Sequence, residues 1–220
     1  VILKINPKRT VEVIDIVDSD ILGEAQKLSN FAADSKDPIY VLLNSPGGII
    51  IFGQSFIDAM EQARAKGIEI TCVTGVLAAS MAFNMLAHCD NRYALRHSKL
   101  LFHPARIGSR EPLSADMLME AYKDLVRIEK YSIPEIQQMM GMSDEQFIYH
   151  YKRETMWDAE QLIDASPKPW LKLVDDVEGT KKLFTISRPR PFFLFGQLFS
   201  IKPYALIHIM RNFDHQLLGH

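Results

Sequence analysis

The chain has 220 residues, 47% of them hydrophobic and 24% charged, with a formal net charge of −2; it reads as one ordinary globular domain with material for a real core, and not as a fibre, a disordered tail or a membrane protein. That balance gives no general pull toward nucleic acid, although residues 178–220 hold six Lys/Arg against two Asp/Glu, a basic tail on an acidic body. Two cysteines, Cys72 and Cys89, do not make a disulfide framework, so a reducing compartment, and with it the cytoplasm, is the expectation.

The opening Val1-Ile2-Leu3-Lys4 is too short and wrongly built for a secretory signal. Residues 10–17 alternate Val11, Val13, Ile14, Ile16 and predict a strand; Ser19-Asp20 offers an N-cap to a helix carrying Ile21, Leu22, Ala25 and Leu28. Asp37-Pro38 ends that helix. Residues 39–43 form a continuous apolar run of buried-strand length, followed by a sharp turn, Asn44-Ser45-Pro46-Gly47-Gly48, and a helix over 50–66 that Gly67 closes. Residues 68–73 predict the third strand, and a helical segment headed by Ser80 runs to about His88.

Residues 92–95 and 99–102 are short strand candidates. A longer helix spans 114–131 and continues, past an irregularity at Pro134, to 140; Gly141 stops it, and Ser143-Asp144-Glu145-Gln146 opens another with a capping-box pattern. Strand and helix alternating in one polarity predict a right-handed, mostly parallel α/β layer with its sites at the carboxyl ends of the strands. After 177 the chain changes character, and residues 178–220 are set apart as a basic, aromatic-rich extension. Gly196, Gln197, Lys202 and Pro203 interrupt its apolar stretch, which excludes a membrane span there.

Ser80 stands out because the first turn of a helix offers unpaired N–H groups and a positive dipole end, where a serine can attack a carbonyl whose developing oxyanion is already met by donors. The glycine turn at 47–48 can present bare amides, and His103, ending another strand, is a candidate base. The plainer readings are a small N-cap at Ser80, a structural histidine at His103 and a solvated charge at Glu154. His88-Cys89-Asp90 are consecutive, not at ligand spacing, so a helix-end turn is preferred to a metal site. Met117, Met119, Met139, Met140 and Met142 suit helix packing or a hydrophobic surface.

Taken together, Asn44-Ser-Pro-Gly-Gly48, Ala78-Ala-Ser80-Met81, Leu101-Phe-His103-Pro104 and Met156-Trp-Asp-Ala-Glu160 resemble the Clp protease proteolytic subunit family, over residues 11–177 in collinear order. The resemblance implies a crotonase-like, ClpP-like α/β fold of repeated β-β-α layers with a mostly parallel sheet and a protruding helical handle. It also implies a serine endopeptidase whose active sites lie inside a homo-oligomeric ring, one or two rings deep. On this pattern Ser80 is the nucleophile, His103 the general base and Glu154 the triad acid, with Asp158 as fallback. The amides of Gly48 and Met81 form the oxyanion hole, and Arg153 matches a residue used in contacts between rings. The expected partners are polypeptide substrate and an AAA+ unfoldase, with no cofactor, metal, nucleic acid or membrane.

The pattern is not followed throughout. Gly75 to Ser80 is one residue longer than the family's spacing, Ala82 replaces a glycine, His103 is followed directly by Pro104, and the glycine-rich strand expected next is reduced to Gly108. The usual N-terminal axial-loop segment has no counterpart at the start of the chain. Three rivals follow: a catalytically silent ring subunit or scaffold, a crotonase-type acyl-CoA enzyme, and a viral capsid-maturation protease.

Overall fold

In the computed structural model of the protein, residues 1–109 and 112–180 are described; most of the 178–220 extension, with the apolar stretch judged not to span a membrane, lies outside them. Among the described residues no helix is long and apolar enough to cross a membrane.

The centre is a parallel sheet whose strands lie in the order β2 (Thr10–Ile14), β3 (Ile39–Ser45), β4 (Ile70–Ala79), β5 (Asn91–Leu95) and β8 (Lys172–Val174). Parallel neighbours require crossovers, and helices α1 (Ile21–Asp34), α2 (Ile50–Ala65) and α3 (Met81–Ala87) supply them. Helix α1 buries Ile21, Ala25, Leu28 and Ala32, one stripe at helical spacing, and packs on α2. The sheet is covered on both faces, which explains the unbroken apolar runs in its strands. Val41, Leu43 and Cys72 point into the main core with the helices, while Leu42 and Val73 join a second cluster with Ile5, Val174 and Val177. Ile5 and Val177 come from beside and within a two-stranded ribbon of β1 (Ile2–Lys4) and β9 (Asp176–Glu178).

Two short strands extend the sheet. β6 (Lys99–Leu101) pairs parallel with the far half of β4, and β7 (Trp157–Asp158) pairs antiparallel with β6. β4 therefore forks: residues 71–74 pair with β5 and residues 77–79 with β6. At the fork Gly75 and Val76 bulge, and the offset against β3 grows by two residues between Leu43 and Ser45. Asn44 Oδ1 accepts from the Leu77 N–H at 3.2 Å and ties the strands across that step. Ser98, buried, donates its hydroxyl to the Thr74 and Gly75 carbonyls on the other side.

Helix α4 (Ala115–Met140) runs 26 residues through Pro134 and buries only Ile136 and Met140, so most of its length stands off the core as a handle. Gly141, at φ +70°, ends it in the left-handed conformation expected of a glycine cap. Helix α5 (Asp144–Arg153) opens with the reciprocal Ser143–Gln146 capping box, and α6 (Ala159–Ala165) follows β7.

The elements differ from expectation in three places. The first strand stops at Ile14 because Asp15 turns to φ +68°. The third strand is longer than residues 68–73 and reaches Ala79, since two neighbours pair with it in succession and override the weak strand preference of Gly75, Ala78 and Ala79. The cysteines are joined in a Cys72–Cys89 disulfide, contrary to the reading from their number. β4 and the end of α3 bring their Cα atoms to 5.9 Å, and both residues are fully buried.

Candidate active site

The carboxyl edge of the sheet gathers the turn after β3, the end of β4 and the end of β6. Ser80 follows β4 directly and caps α3; its backbone is at φ +55°, ψ −122°, a sharp strand-to-helix turn rare for a residue other than glycine. Its N–H donates to the Leu101 carbonyl at 2.8 Å, pinning the serine to β6 two residues before His103. Ala79 and Leu101 are register partners, so Ser80 and His103 leave neighbouring parallel strands one and two residues past the last pair. The Ser80 and His103 side chains are both half-buried.

The glycine turn is packed against the serine. A Cβ on Gly47, whose φ is +88°, would come within 2.6 Å of the Ala79 carbonyl oxygen and of Ser80 Cβ, and 2.8 Å from the Met81 nitrogen. Val17 holds the turn from outside: its N–H donates to Gly47 at 2.9 Å and its carbonyl accepts from Ile49 at 2.8 Å. The residue between, Gly48, keeps its own N–H out of that ladder. Among the described residues neither the Gly48 nor the Met81 amide enters a hydrogen bond, and both sit at the turn that meets Ser80. Met81 is fixed by its side chain, which fills the space over Gly53 of α2. Unpaired backbone donors next to a serine are what acyl transfer uses to hold an oxyanion.

The Nδ1 atom of His103 lies 2.7 Å from the Pro104 carbonyl oxygen. A carbonyl only accepts, so Nδ1 carries a hydrogen, and in the neutral imidazole Nε2 is then the nitrogen with the lone pair a general base needs. The antiparallel pairing of β6 with β7 covers Lys99 with Asp158 and Leu100 with Trp157 and stops short of both His103 and Glu154. Glu154, in the left-handed C-cap of α5, is ion-paired with Arg106. Asp158, the fallback, is bound 2.7 Å from Lys99 Nζ and caps α6. Thus the structure brings Ser80, His103, Gly48 and Met81 to one edge, and joins neither carboxylate to the imidazole nor the imidazole to the hydroxyl by a hydrogen bond. Such contacts are often open in a resting site and close around substrate. Arg153 lies over the Tyr149 ring, 4.3 Å from its centroid.

Three further residues shape the site and were not singled out in the sequence: Arg106, which holds Glu154, and Glu129 and Tyr151, which hold the segment after His103. The partners of each contact lie 22 to 48 residues apart, so no local motif marks them. Among the described residues no group of His, Cys, Asp and Glu could hold a metal ion.

The family model described as Clp protease matches residues 3–165. Similar curated proteins include the ATP-dependent Clp protease proteolytic subunit 2 of Prochlorococcus marinus (strain MIT 9313), 30% identical over 167 residues, 76% of this chain and 78% of the relative. Subunit 2 of P. marinus (strain NATL2A) is 30% identical over 138 residues, 62% of this chain and 68% of that protein. Subunit 3 of Synechococcus sp. (strain CC9605) is 31% identical over 139 residues, with the same coverage.

Proposed function

The chain belongs to the Clp protease family, and from this we propose that it is a serine endopeptidase cleaving unfolded or delivered polypeptide by acyl-enzyme chemistry. The observation that carries the reading is the convergence of Ser80, a histidine with its Nε2 lone pair available, and two unpaired amides at the ends of β3, β4 and β6.

Ser80 Oγ attacks the scissile carbonyl while His103 Nε2 takes its proton. The Gly48 and Met81 amides receive the oxyanion, and the protonated imidazole then gives its proton to the leaving amine. Water, deprotonated by the same nitrogen, hydrolyses the ester. Glu154 is the acid that steadies the imidazolium once Arg106 releases it. Residues 1–177 are the peptidase domain and 178–220 an extension of it. The working particle is a homo-oligomeric ring with Arg153 at the contact between rings, fed by an AAA+ unfoldase; the cytoplasm is proposed for it by kinship alone, since the Cys72–Cys89 disulfide removes the cysteine argument for a reducing compartment.

Ser80→Ala tests the assignment. Cleavage of a fluorogenic peptide should fall at least about a thousandfold, and labelling by a fluorophosphonate probe should vanish; labelling that persists in the variant excludes Ser80 as nucleophile. One observation favours a second reading, a catalytically silent ring subunit: Arg106 occupies Glu154 and the Pro104 carbonyl occupies His103 Nδ1. Turnover by the purified wild-type chain rules that reading out.

A further inference from the structure

The base His103 sits in a stretch without regular structure, yet the chain is clamped on either side of it. Just before it, Phe102 is buried, with its ring 5.3 Å from Phe83 of α3, 5.0 Å from Phe147 and 6.4 Å from Tyr151, the last two on α5. Just after it, the Ala105 N–H donates to Glu129 Oε1 at 2.8 Å. The Tyr151 hydroxyl donates to the same oxygen at 2.7 Å.

We infer that Glu129, on the handle helix α4, is a positioning residue for His103: one carboxylate oxygen, taking hydrogen bonds from Ala105 and from Tyr151, locks the segment that carries the imidazole. This deepens the peptidase reading and rests on it. A carboxylate accepting two donors holds each more firmly than a neutral acceptor does, and Glu129 is half-buried, where water competes less. Burial, then the Glu129 charge, pushes the Tyr151 phenol well above its ordinary range, which favours the protonated form that donates to the carboxylate. The tyrosine ring is itself set by stacking on Phe147, 5.7 Å away. The clamp therefore joins three elements, α4 by charge, α5 by the phenol and the aromatic stack, and α3 by the tilted ring of Phe83, on the two residues flanking Pro104 and His103. Since most of α4 is exposed, Glu129 is where the handle grips the catalytic edge.

The experiment compares Glu129→Ala, Glu129→Gln and Tyr151→Phe with the wild type, reading kcat and KM on a fluorogenic peptide, thermal midpoint, and hydrogen exchange at the Ala105 amide. Glu129→Ala should lose roughly ten- to a hundredfold in kcat, the cost of a base displaced by about an ångström, with KM nearly unchanged. Glu129→Gln, whose amide oxygen still accepts both bonds, should restore most of the rate; Tyr151→Phe, losing one donor, should fall between. Ala105 exchange should be slow in wild type and Glu129→Gln and fast in Glu129→Ala. A wild-type rate in Glu129→Ala, or equal losses in the Ala and Gln variants, overturns the inference. If Glu129→Ala does not fold, the rates of Tyr151→Phe and Glu129→Gln decide, an unimpaired Tyr151→Phe counting against the clamp. A wild-type chain that neither turns over nor takes the probe refutes the peptidase reading instead; the clamp is then judged by Ala105 exchange alone, and equal exchange in Ala and Gln variants refutes it.

Discussion

Gly47 carries the tightest local constraint in the site. Its φ of +88° suits glycine, and any side chain there would run into the Ala79 carbonyl and Ser80 Cβ. Gly47→Ala should therefore lower stability by about 3 kcal/mol, seen as a fall in thermal midpoint of roughly 6–12 °C. It should also reduce kcat more than KM, because the turn that sets the Gly48 amide must shift. A variant as stable and active as wild type would show that the turn does not touch the serine. The turn and the serine were both legible in the sequence, as a glycine pair after a buried run and a small-residue step into a helix. Their mutual packing was not, because it depends on a register between strands whose partners lie 31 to 33 residues apart, which no spacing encodes.

Among the elements, α5 and β7 meet at His150, whose Nδ1 lies 3.2 Å from Thr155 Oγ1 and whose ring packs edge-on to Trp157 at 4.6 Å. Burial, and secondarily the charge of Arg153, hold this imidazole below its ordinary pKa of 6.5. The unfolded chain then binds the proton more readily than the folded one, so His150's share of stability is complete above the unfolded value and is lost as the pH falls through the folded one. The urea midpoint of the wild type should fall between about pH 8 and about pH 5. His150→Gln should show a shallower fall, and identical slopes would exclude the histidine as a contributor. Helices were read well, down to the Gly141 stop and the Ser143 capping box, because caps are local chemistry. Strand ends were read poorly: β4 outran its own propensities on the strength of two neighbours, β7 is too short to leave a period, and the Cys72–Cys89 bond comes from the meeting of a strand with a helix end.

For the molecule as a whole, the handle leaves Met117, Leu118, Met119, Val126 and Tyr131 exposed. Ring assembly would cover such surface. In solution the particle should have a mass several times that of one chain by light scattering, and a monomer at concentrations that support turnover would refute the ring. The forked strand β4 has a consequence of its own. It begins fully buried, is gripped by one neighbour and then, past the bulge at Gly75 and Val76, by the next, and the second pairing runs straight into the serine. A reactive group mounted like this has no private way to fail: as the protein is warmed, catalysis should persist to the brink of melting and disappear together with the structure, in a single step.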